Sequence, residues 1–113
     1  METKSTMGLE SLFQLNNRVA VVIGGTGALG GAMAAALGTA GARIAVVGRN
    51  AERGMSRAED IRRHGGEAVF VSADAMDRES LTQARHSIEK TIGPVDILVN
   101  AAGGNQSLSL IHI

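Results

Sequence analysis

Glycines cluster in the segment with the strongest chemical signal in the sequence, residues 24–31, which reads Gly-Gly-Thr-Gly-Ala-Leu-Gly-Gly. Gly25, Gly27 and Gly30 match the spacing Gly-x-Gly-x-x-Gly. Glycine allows a tight turn from a strand into a helix, and it lets pyrophosphate oxygens approach the backbone where a Cβ would collide. The unpaired N–H groups at the helix start then face the anion. The segment therefore predicts a site for the pyrophosphate of a dinucleotide, and the alternative is a glycine-rich turn that binds nothing.

The residues that follow the second apolar run of the chain indicate which dinucleotide to expect. An NAD site usually has Asp or Glu there, about 20 residues beyond the glycines, to bind the ribose 2′-hydroxyl. This sequence has Gly48, Arg49 and Asn50 instead. The guanidinium of Arg49 is a forked positive donor that suits a 2′-phosphate, whereas Glu52 lies in a first helical turn, where carboxylates are common. We therefore predict NADP, with NAD as the alternative, while a plain surface position for Arg49 remains open.

Four short apolar runs rich in Val and Ile are predicted to be strands: residues 19–23, 44–47, 68–71 and 95–99. None alternates strictly with polar residues, which is typical of strands buried on both faces of a parallel sheet. The alternation with helices predicts an α/β protein with an NAD(P)-binding Rossmann fold. Its doubly wound parallel sheet should have the strand order 3-2-1-4, with a ligand crevice at the carboxyl ends of the first and fourth strands.

Helices are predicted between the runs, over residues 29–40, 51–63 and 78–92. Spacings of three and four give the first helix one apolar face, formed by Leu29, Met33, Leu37 and Ala40. The second helix has a weaker stripe, with Met55, Ala58 and Ile61 or Arg62, and the third has Leu81, Ala84, Ile88 and Ile92. Asn50 and Asp77 are predicted N-caps, and glycines are predicted to end each helix.

Composition narrows the classes of function. A length of 113 residues suits one domain, and 11 Lys and Arg balance 11 Asp and Glu, so nothing favours nucleic acid or an anionic membrane as a partner. The sequence has no cysteine and its three histidines are scattered, so no metal site is predicted. The apolar runs are far shorter than the about 20 residues of a membrane helix. We expect a soluble, cytoplasmic protein.

Several of these segments together resemble the short-chain dehydrogenase/reductase family: the glycine turn, Arg49, residues 72–75 and residues 96–103. The resemblance covers about residues 17–105. It implies an oxidoreductase that transfers hydride between a nicotinamide and a hydroxyl or carbonyl substrate, as a homodimer or homotetramer.

The resemblance also implies roles for residues beyond the turn. An Asp such as Asp74 holds the adenine amino group with Ala75 beside the ring, and a turn such as residues 100–103 closes over the adenosine side. The alternatives are a local loop or capping role for Asp74 and a turn-forming role for Asn100. The predicted cofactor-binding residues are Gly24, Gly25, Thr26, Gly27, Ala28, Leu29, Gly30, Arg49, Asn50, Asp74, Ala75, Asn100, Ala101, Ala102 and Gly103.

Three positions depart from the family's commonest residues. Ile23 stands where Thr is frequent, Ala28 where a second glycine is frequent, and Ala101 where a second Asn is frequent. Together with Gly-Gly-Asn at residues 103–105, these residues resemble those of a branch of the family that includes D-mannonate (fructuronate) oxidoreductases. The implied substrate is then a sugar acid.

The family's chemistry relies on a Tyr-x-x-x-Lys pair and a Ser, and this sequence contains no tyrosine. No catalytic residue is therefore predicted. We expect residues 1–106 to be the N-terminal part of a dinucleotide-binding domain, truncated after the fourth strand and inactive alone, with residues 107–113 a non-native or disordered tail. The alternatives are a non-catalytic NADP(H)-binding Rossmann module and a structural α/β domain without ligand.

Overall fold

Four strands and three helices alternate along residues 15–101, the part of the chain that the computed structural model describes. In chain order they are β1 (Val19–Ile23), α1 (Ala28–Thr39), β2 (Arg43–Gly48), α2 (Ala51–Arg63), β3 (Glu67–Ser72), α3 (Arg78–Thr91) and β4 (Ile97–Asn100). The predicted alternation is confirmed, and β1 and α2 begin and end where the sequence predicted. Within this part of the chain, no helix is long and apolar enough to cross a membrane.

The strands form one parallel sheet in the order β3-β2-β1-β4, which confirms the predicted topology. Ile23 lies beside Val47 on one side and Asn100 on the other, and Gly48 lies beside Ser72. The carboxyl ends of all the strands therefore lie along the same edge of the sheet. Ligands of such open sheets bind at this edge, where the strand order reverses.

Helices cover both faces of the sheet and create two apolar cores. On one face, α3 buries Leu81, Ala84 and Ile88, the face that its sequence predicted. On the other face, α1 and α2 contribute Ala34 and Ala58 among other residues. β1 is buried along its whole length because strands flank it and helices cover both of its faces. This sandwich makes β1 a rigid base for the turn that follows it.

The predicted apolar face of α1 is only partly correct: the half-buried Leu37 packs against the core, but Leu29 and Met33 do not. Leu29 and Met33 are 68% and 37% exposed, whereas the buried residues are Gly30, Gly31, Ala34 and Gly38. α1 lies so close to the neighbouring elements that larger side chains do not fit: a Cβ at Gly38 would lie 3.0 Å from Cγ2 of Ile61 on α2. Close packing therefore selects small residues at the buried positions, and Leu29 and Met33 face outward.

A similar correction applies to α2. Met55 is 62% exposed, while Gly54, Ala58 and Ile61 are buried. The position of Gly54 leaves no room for a side chain, because a Cβ there would fall on the ring of Phe70 in β3. Gly54 of α2 therefore packs against the ring of Phe70, and Met55 faces outward.

The ends of the helices follow the predicted caps. The Asn50 side chain accepts a hydrogen bond from the Arg53 N–H at 3.0 Å, and Asp77 Oδ1 accepts one from the Glu79 N–H at 3.0 Å. Gly41 follows α1 with φ +104°, a left-handed conformation that favours glycine, and its N–H donates to the Gly38 carbonyl at 3.0 Å. These caps fix where each loop at the two sheet edges begins.

Candidate functional site

The glycine turn joins β1 to α1 through a left-handed residue. Gly24 has φ +80°, which residues with a Cβ rarely adopt. Its N–H donates to the carbonyl of Val47 in β2 at 2.8 Å, and its own carbonyl accepts from the Gly27 N–H at 3.1 Å. The turn is therefore tied to the end of the neighbouring strand before the helix starts.

Two glycines of this turn are required by the packing of the protein itself. A Cβ at Gly25 would lie 2.9 Å from Cγ1 of Val46 and 3.2 Å from the carbonyl oxygen of Val22. A Cβ at Gly30 would collide with the Gly24 carbonyl oxygen. Because these positions have no side chains, the first turn of α1 can lie against the end of β1.

Gly27 differs, because nothing in the described part of the protein requires a glycine there. Its φ of −84° is accessible to any residue, and a Cβ would make only an ordinary contact of 3.6 Å with the Gly24 carbonyl oxygen. Gly27 is the N-cap of α1 and provides no side-chain hydrogen bond to the helix. The space above it is open to a partner outside the protein.

The first N–H groups of α1 are available as donors. Within residues 15–101, no hydrogen bond takes up the N–H groups of Ala28, Leu29 and Gly30. The helix dipole places partial positive charge at this end, and the first turn contains no acidic side chain that would offset it. The geometry suits a phosphate group.

The end of β2 contacts the glycine turn. A Cβ at Gly48 would lie 2.9 Å from Cγ2 of Thr26, so the two segments touch. Arg49 follows as an exposed residue, and no hydrogen bond or ion pair to any residue from 15 to 101 holds its guanidinium. The side-chain oxygen of Asn50 caps α2 by accepting a hydrogen bond from the Arg53 N–H. The structure therefore presents an uncommitted cation at the same edge as the turn.

Asp74 and Ala75 follow β3 along this edge. The preceding residue, Ala73, donates its N–H to the carbonyl of Gly48 at 3.0 Å. The Asp74 N–H donates to Ser80 Oγ at 2.9 Å, and Oδ1 of Asp74 accepts from the Met76 N–H at 2.9 Å. One carboxylate oxygen thus stabilises the local loop, and Ala75 packs against the core under α3.

The end of β4 completes the edge. Asn100 pairs with Ile23 of β1, and the Ala101 N–H donates to the Ile23 carbonyl at 2.8 Å. The predicted residues Ala102 and Gly103 lie outside the described residues, as does the predicted tail at residues 107–113. The remaining predicted residues all lie at the carboxyl edge of the sheet.

One residue near the turn was missed by the sequence reasoning. Arg57 of α2 reaches across to α1, where its Nη2 donates to the Gly27 carbonyl at 3.5 Å. A Cβ at Gly31 would lie 2.8 Å from Cζ of Arg57. The available signal was indirect: Gly31 and Gly38 stand one heptad apart on α1, a spacing that accommodates large side chains from a neighbouring helix.

A cavity of about 320 Å³ lies away from this edge, on the face of the sheet that α3 covers. Val21, Leu81, Ile88 and Leu98 are among the residues that line it. None of the predicted cofactor-binding residues borders it. The charged residues Arg85, Glu89 and Asp96 also line it, so it is a partly open groove beside α3, separate from the candidate site.

Comparison with known proteins adds a family and several relatives. The family model described as short chain dehydrogenase matches residues 18–112. The uncharacterized oxidoreductase UxuB of Bacillus subtilis (strain 168) is 43% identical over 91 residues, which cover 80% of this chain and 33% of that protein. The chain thus spans about a third of the length of this curated relative.

Solved structures with the same fold include cofactor complexes. A protein assigned as a D-mannonate oxidoreductase from Haemophilus influenza, solved with bound NAD, superposes with a TM-score of 0.79 at 30% identity, covering 88% of this chain and 35% of that one. L-Sorbose reductase from Gluconobacter frateurii, complexed with NADPH and L-sorbose, gives a TM-score of 0.77 at 26% identity, with 89% and 39% covered.

Proposed function

Since this chain belongs to the short-chain dehydrogenase/reductase family of oxidoreductases, we propose that its glycine turn binds the pyrophosphate of a nicotinamide dinucleotide. Gly27 carries this proposal. Its backbone conformation and surroundings leave room for a side chain, so a ligand that approaches the backbone there best explains why the residue is glycine. The donors at the start of α1 support the same ligand, because they can bind its phosphate oxygens.

The other strand ends are proposed to bind the adenosine half. Arg49 would pair with a ribose 2′-phosphate, for which a guanidinium offers two parallel donors. Asp74 would bind the adenine amino group through the carboxylate oxygen that does not hold the Met76 N–H. Asn50, Ala75, Asn100, Ala101, Ala102 and Gly103 would line the adenosine side, and the exposed Leu29 would border the cofactor at the mouth of the turn.

NADP is the proposed cofactor. The structures similar to this chain include one with NAD and one with NADPH, so the family accommodates both. The choice rests on Arg49, whose positive charge is not engaged by any other residue in the described part of the chain. A carboxylate at this position would instead favour the 2′-hydroxyl of NAD.

We propose a sugar acid as the substrate class of the enzyme to which these residues belong. The similarity to a protein assigned as a D-mannonate oxidoreductase and the residues Ala28 and Gly-Gly-Asn at 103–105 support this class. The bound nicotinamide would exchange hydride with a hydroxyl or carbonyl carbon of that substrate. The 113 residues contain no tyrosine, so their own proposed part is to hold and orient the cofactor.

A titration of NADPH and NADH against the Arg49→Ala variant tests the cofactor preference. Loss of the guanidinium should weaken NADPH binding by about 10- to 100-fold, the range of a charged hydrogen bond, and leave NADH binding unchanged. Arg43→Ala is the matched control, because Arg43 lies at the opposite end of the same strand. Its variant should bind both nucleotides as the original chain does.

The outcomes separate the parts of the proposal. If Arg49→Ala changes neither the NADPH affinity nor the NADH affinity, Arg49 does not contact the 2′-phosphate. If neither nucleotide binds the original chain, the proposed function of the glycine turn is wrong.

A further inference from the structure

Arg57 places a guanidinium beside the first turn of α1. Its Nη2 donates to the carbonyl of Gly27 at 3.5 Å, near the outer limit for a hydrogen bond. The same guanidinium lies so close to Gly31 that a Cβ there would come within 2.8 Å of Cζ and 2.9 Å of Nε. The contact joins two helices on the same face of the sheet, at the level of the glycine turn.

Arg57 has no carboxylate partner among residues 15–101. Two other arginines of α2, Arg62 and Arg63, both form ion pairs with Glu59. The side chain of Arg57 is also half-buried, whereas these two arginines are exposed. Arg57 is thus a half-buried cation whose hydrogen bond goes to one backbone carbonyl. This arrangement indicates that Arg57 affects the orientation of that peptide unit.

The carbonyl of Gly27 determines where the next N–H points. A trans peptide unit is planar, with its C=O and N–H directed to opposite sides. The Gly27 carbonyl faces into α1, where it accepts from the Gly31 N–H at 2.8 Å and from Arg57. The N–H of Ala28, on the same peptide unit, therefore faces outward, away from the helix and toward the open end of the turn.

We propose that Arg57 is a positioning residue for the pyrophosphate site: it holds the Gly27–Ala28 peptide unit so that the Ala28 N–H is directed at the phosphate. The inference rests on the proposed function of the turn. Gly27 has no side chain to restrict this peptide, so an external hydrogen bond reduces the conformational freedom that binding would otherwise remove. Because pyrophosphate is common to NAD and NADP, Arg57 should affect both cofactors equally.

Gly31 is then explained by the same contact. Helices tolerate alanine better than glycine, so a glycine inside α1 has an energetic cost. A Cβ at Gly31 would displace the far end of the Arg57 side chain, which can move without disturbing the fold. Gly31→Ala should therefore remove the contact to Gly27 while stabilising the helix, which makes it a second route to the same loss.

The test measures binding of ADP, adenosine, NADPH and NADH to the full 113-residue chain with Arg57→Met, Arg57→Lys and Gly31→Ala. Methionine retains the apolar stem and removes the donor. Arg57→Met and Gly31→Ala should each weaken ADP, NADPH and NADH by about three- to tenfold, the range of one ordinary hydrogen bond. Adenosine, which has no phosphate, should bind unchanged, and lysine should restore part of the ADP affinity.

Two further comparisons sharpen the result. The double variant Arg57→Met with Gly31→Ala should lose no more affinity than either single change, because both remove the same contact. Arg63→Met is the matched control on the same helix and should leave all four ligands unaffected.

Four results would overturn the inference. If the original chain binds ADP and Arg57→Met binds it equally well, this inference is overturned while the proposed function of the turn stands. An equal loss of adenosine binding would show a general effect on the fold, and a loss confined to NADPH would place Arg57 at the 2′-phosphate. Absence of ADP binding by the original chain would overturn the proposed function and this inference together.

Discussion

The physical reason for a glycine differs from one position of the turn to the next. Gly24 is needed for its left-handed conformation, and Gly25 and Gly30 are needed because side chains there would collide with the protein. Gly27 has neither reason. A sequence pattern treats these positions as equivalent, yet only the last one is informative about a ligand. The distinction allows a substitution that separates folding from binding.

Gly27→Asp should affect stability and binding differently. An aspartate at an N-cap accepts hydrogen bonds from the helix start, so the free energy of unfolding should stay within about 0.5 kcal/mol of the original or rise. The carboxylate would occupy the donors and repel the pyrophosphate, so NADPH affinity should fall at least about tenfold, or about 1.4 kcal/mol. Urea unfolding and nucleotide titration measure the two effects.

Gly27→Asn provides the uncharged comparison. It caps the helix in the same way but lacks the negative charge, so its loss of affinity should be smaller than that of aspartate. Full NADPH binding by Gly27→Asp would contradict a phosphate site at this helix end.

Helix α1 shows how an element can be predicted correctly while its buried face is not. The spacing of Leu29, Met33 and Leu37 indicated an apolar face. Leu37 does pack against the core, but close approach to β1 and α2 makes Gly30, Gly31, Ala34 and Gly38 the buried residues. Hydrophobic periodicity assumes that large apolar residues mark the core, and this assumption fails where backbones pack too closely for large side chains. In α3 the predicted face, with Leu81, Ala84 and Ile88, is the buried one.

Ala34→Leu tests the small-residue face of α1. Ala34 is 0% exposed, so three added carbons would overpack the core and lower the free energy of unfolding by about 1–3 kcal/mol. Ala36→Leu makes the same change at an exposed position of the same helix and should cost almost nothing. Urea denaturation of both variants measures the difference, and equal stabilities would refute the packing described for α1.

At the scale of the whole molecule, β1 is the inner strand that connects β4 to the rest of the sheet. It pairs with β2 and β4, and its side chains alternate between the two cores. β4 is attached partly through Asp96, whose Oδ2 accepts from the Val19 N–H at 2.9 Å and whose own N–H donates to the Val19 carbonyl at 2.9 Å. The accompanying Arg18–Asp96 ion pair, at 3.8 Å and well exposed, adds little stability.

Amide hydrogen exchange should therefore differ between strands. The amides of β1 and β2 are buried and should exchange most slowly, with opening free energies near that of global unfolding. The half-buried residues of β4 should exchange faster, because the strand opens at lower cost. Exchange followed by NMR in deuterated buffer provides the measurement, and equal protection of β1 and β4 would argue against this order.

The sequence by itself determined the elements, their order, the sheet topology and the capping residues, because these depend on local periodicity, turn chemistry and the handedness of parallel crossovers. It also predicted which segments lie at the carboxyl edge. Only the tertiary structure decided the buried face of α1, the separate reasons for each glycine, and the contact of Arg57 with Gly27. Those depend on the local backbone conformation and on how closely strands, turn and helices approach one another, distances that no spacing within one segment encodes.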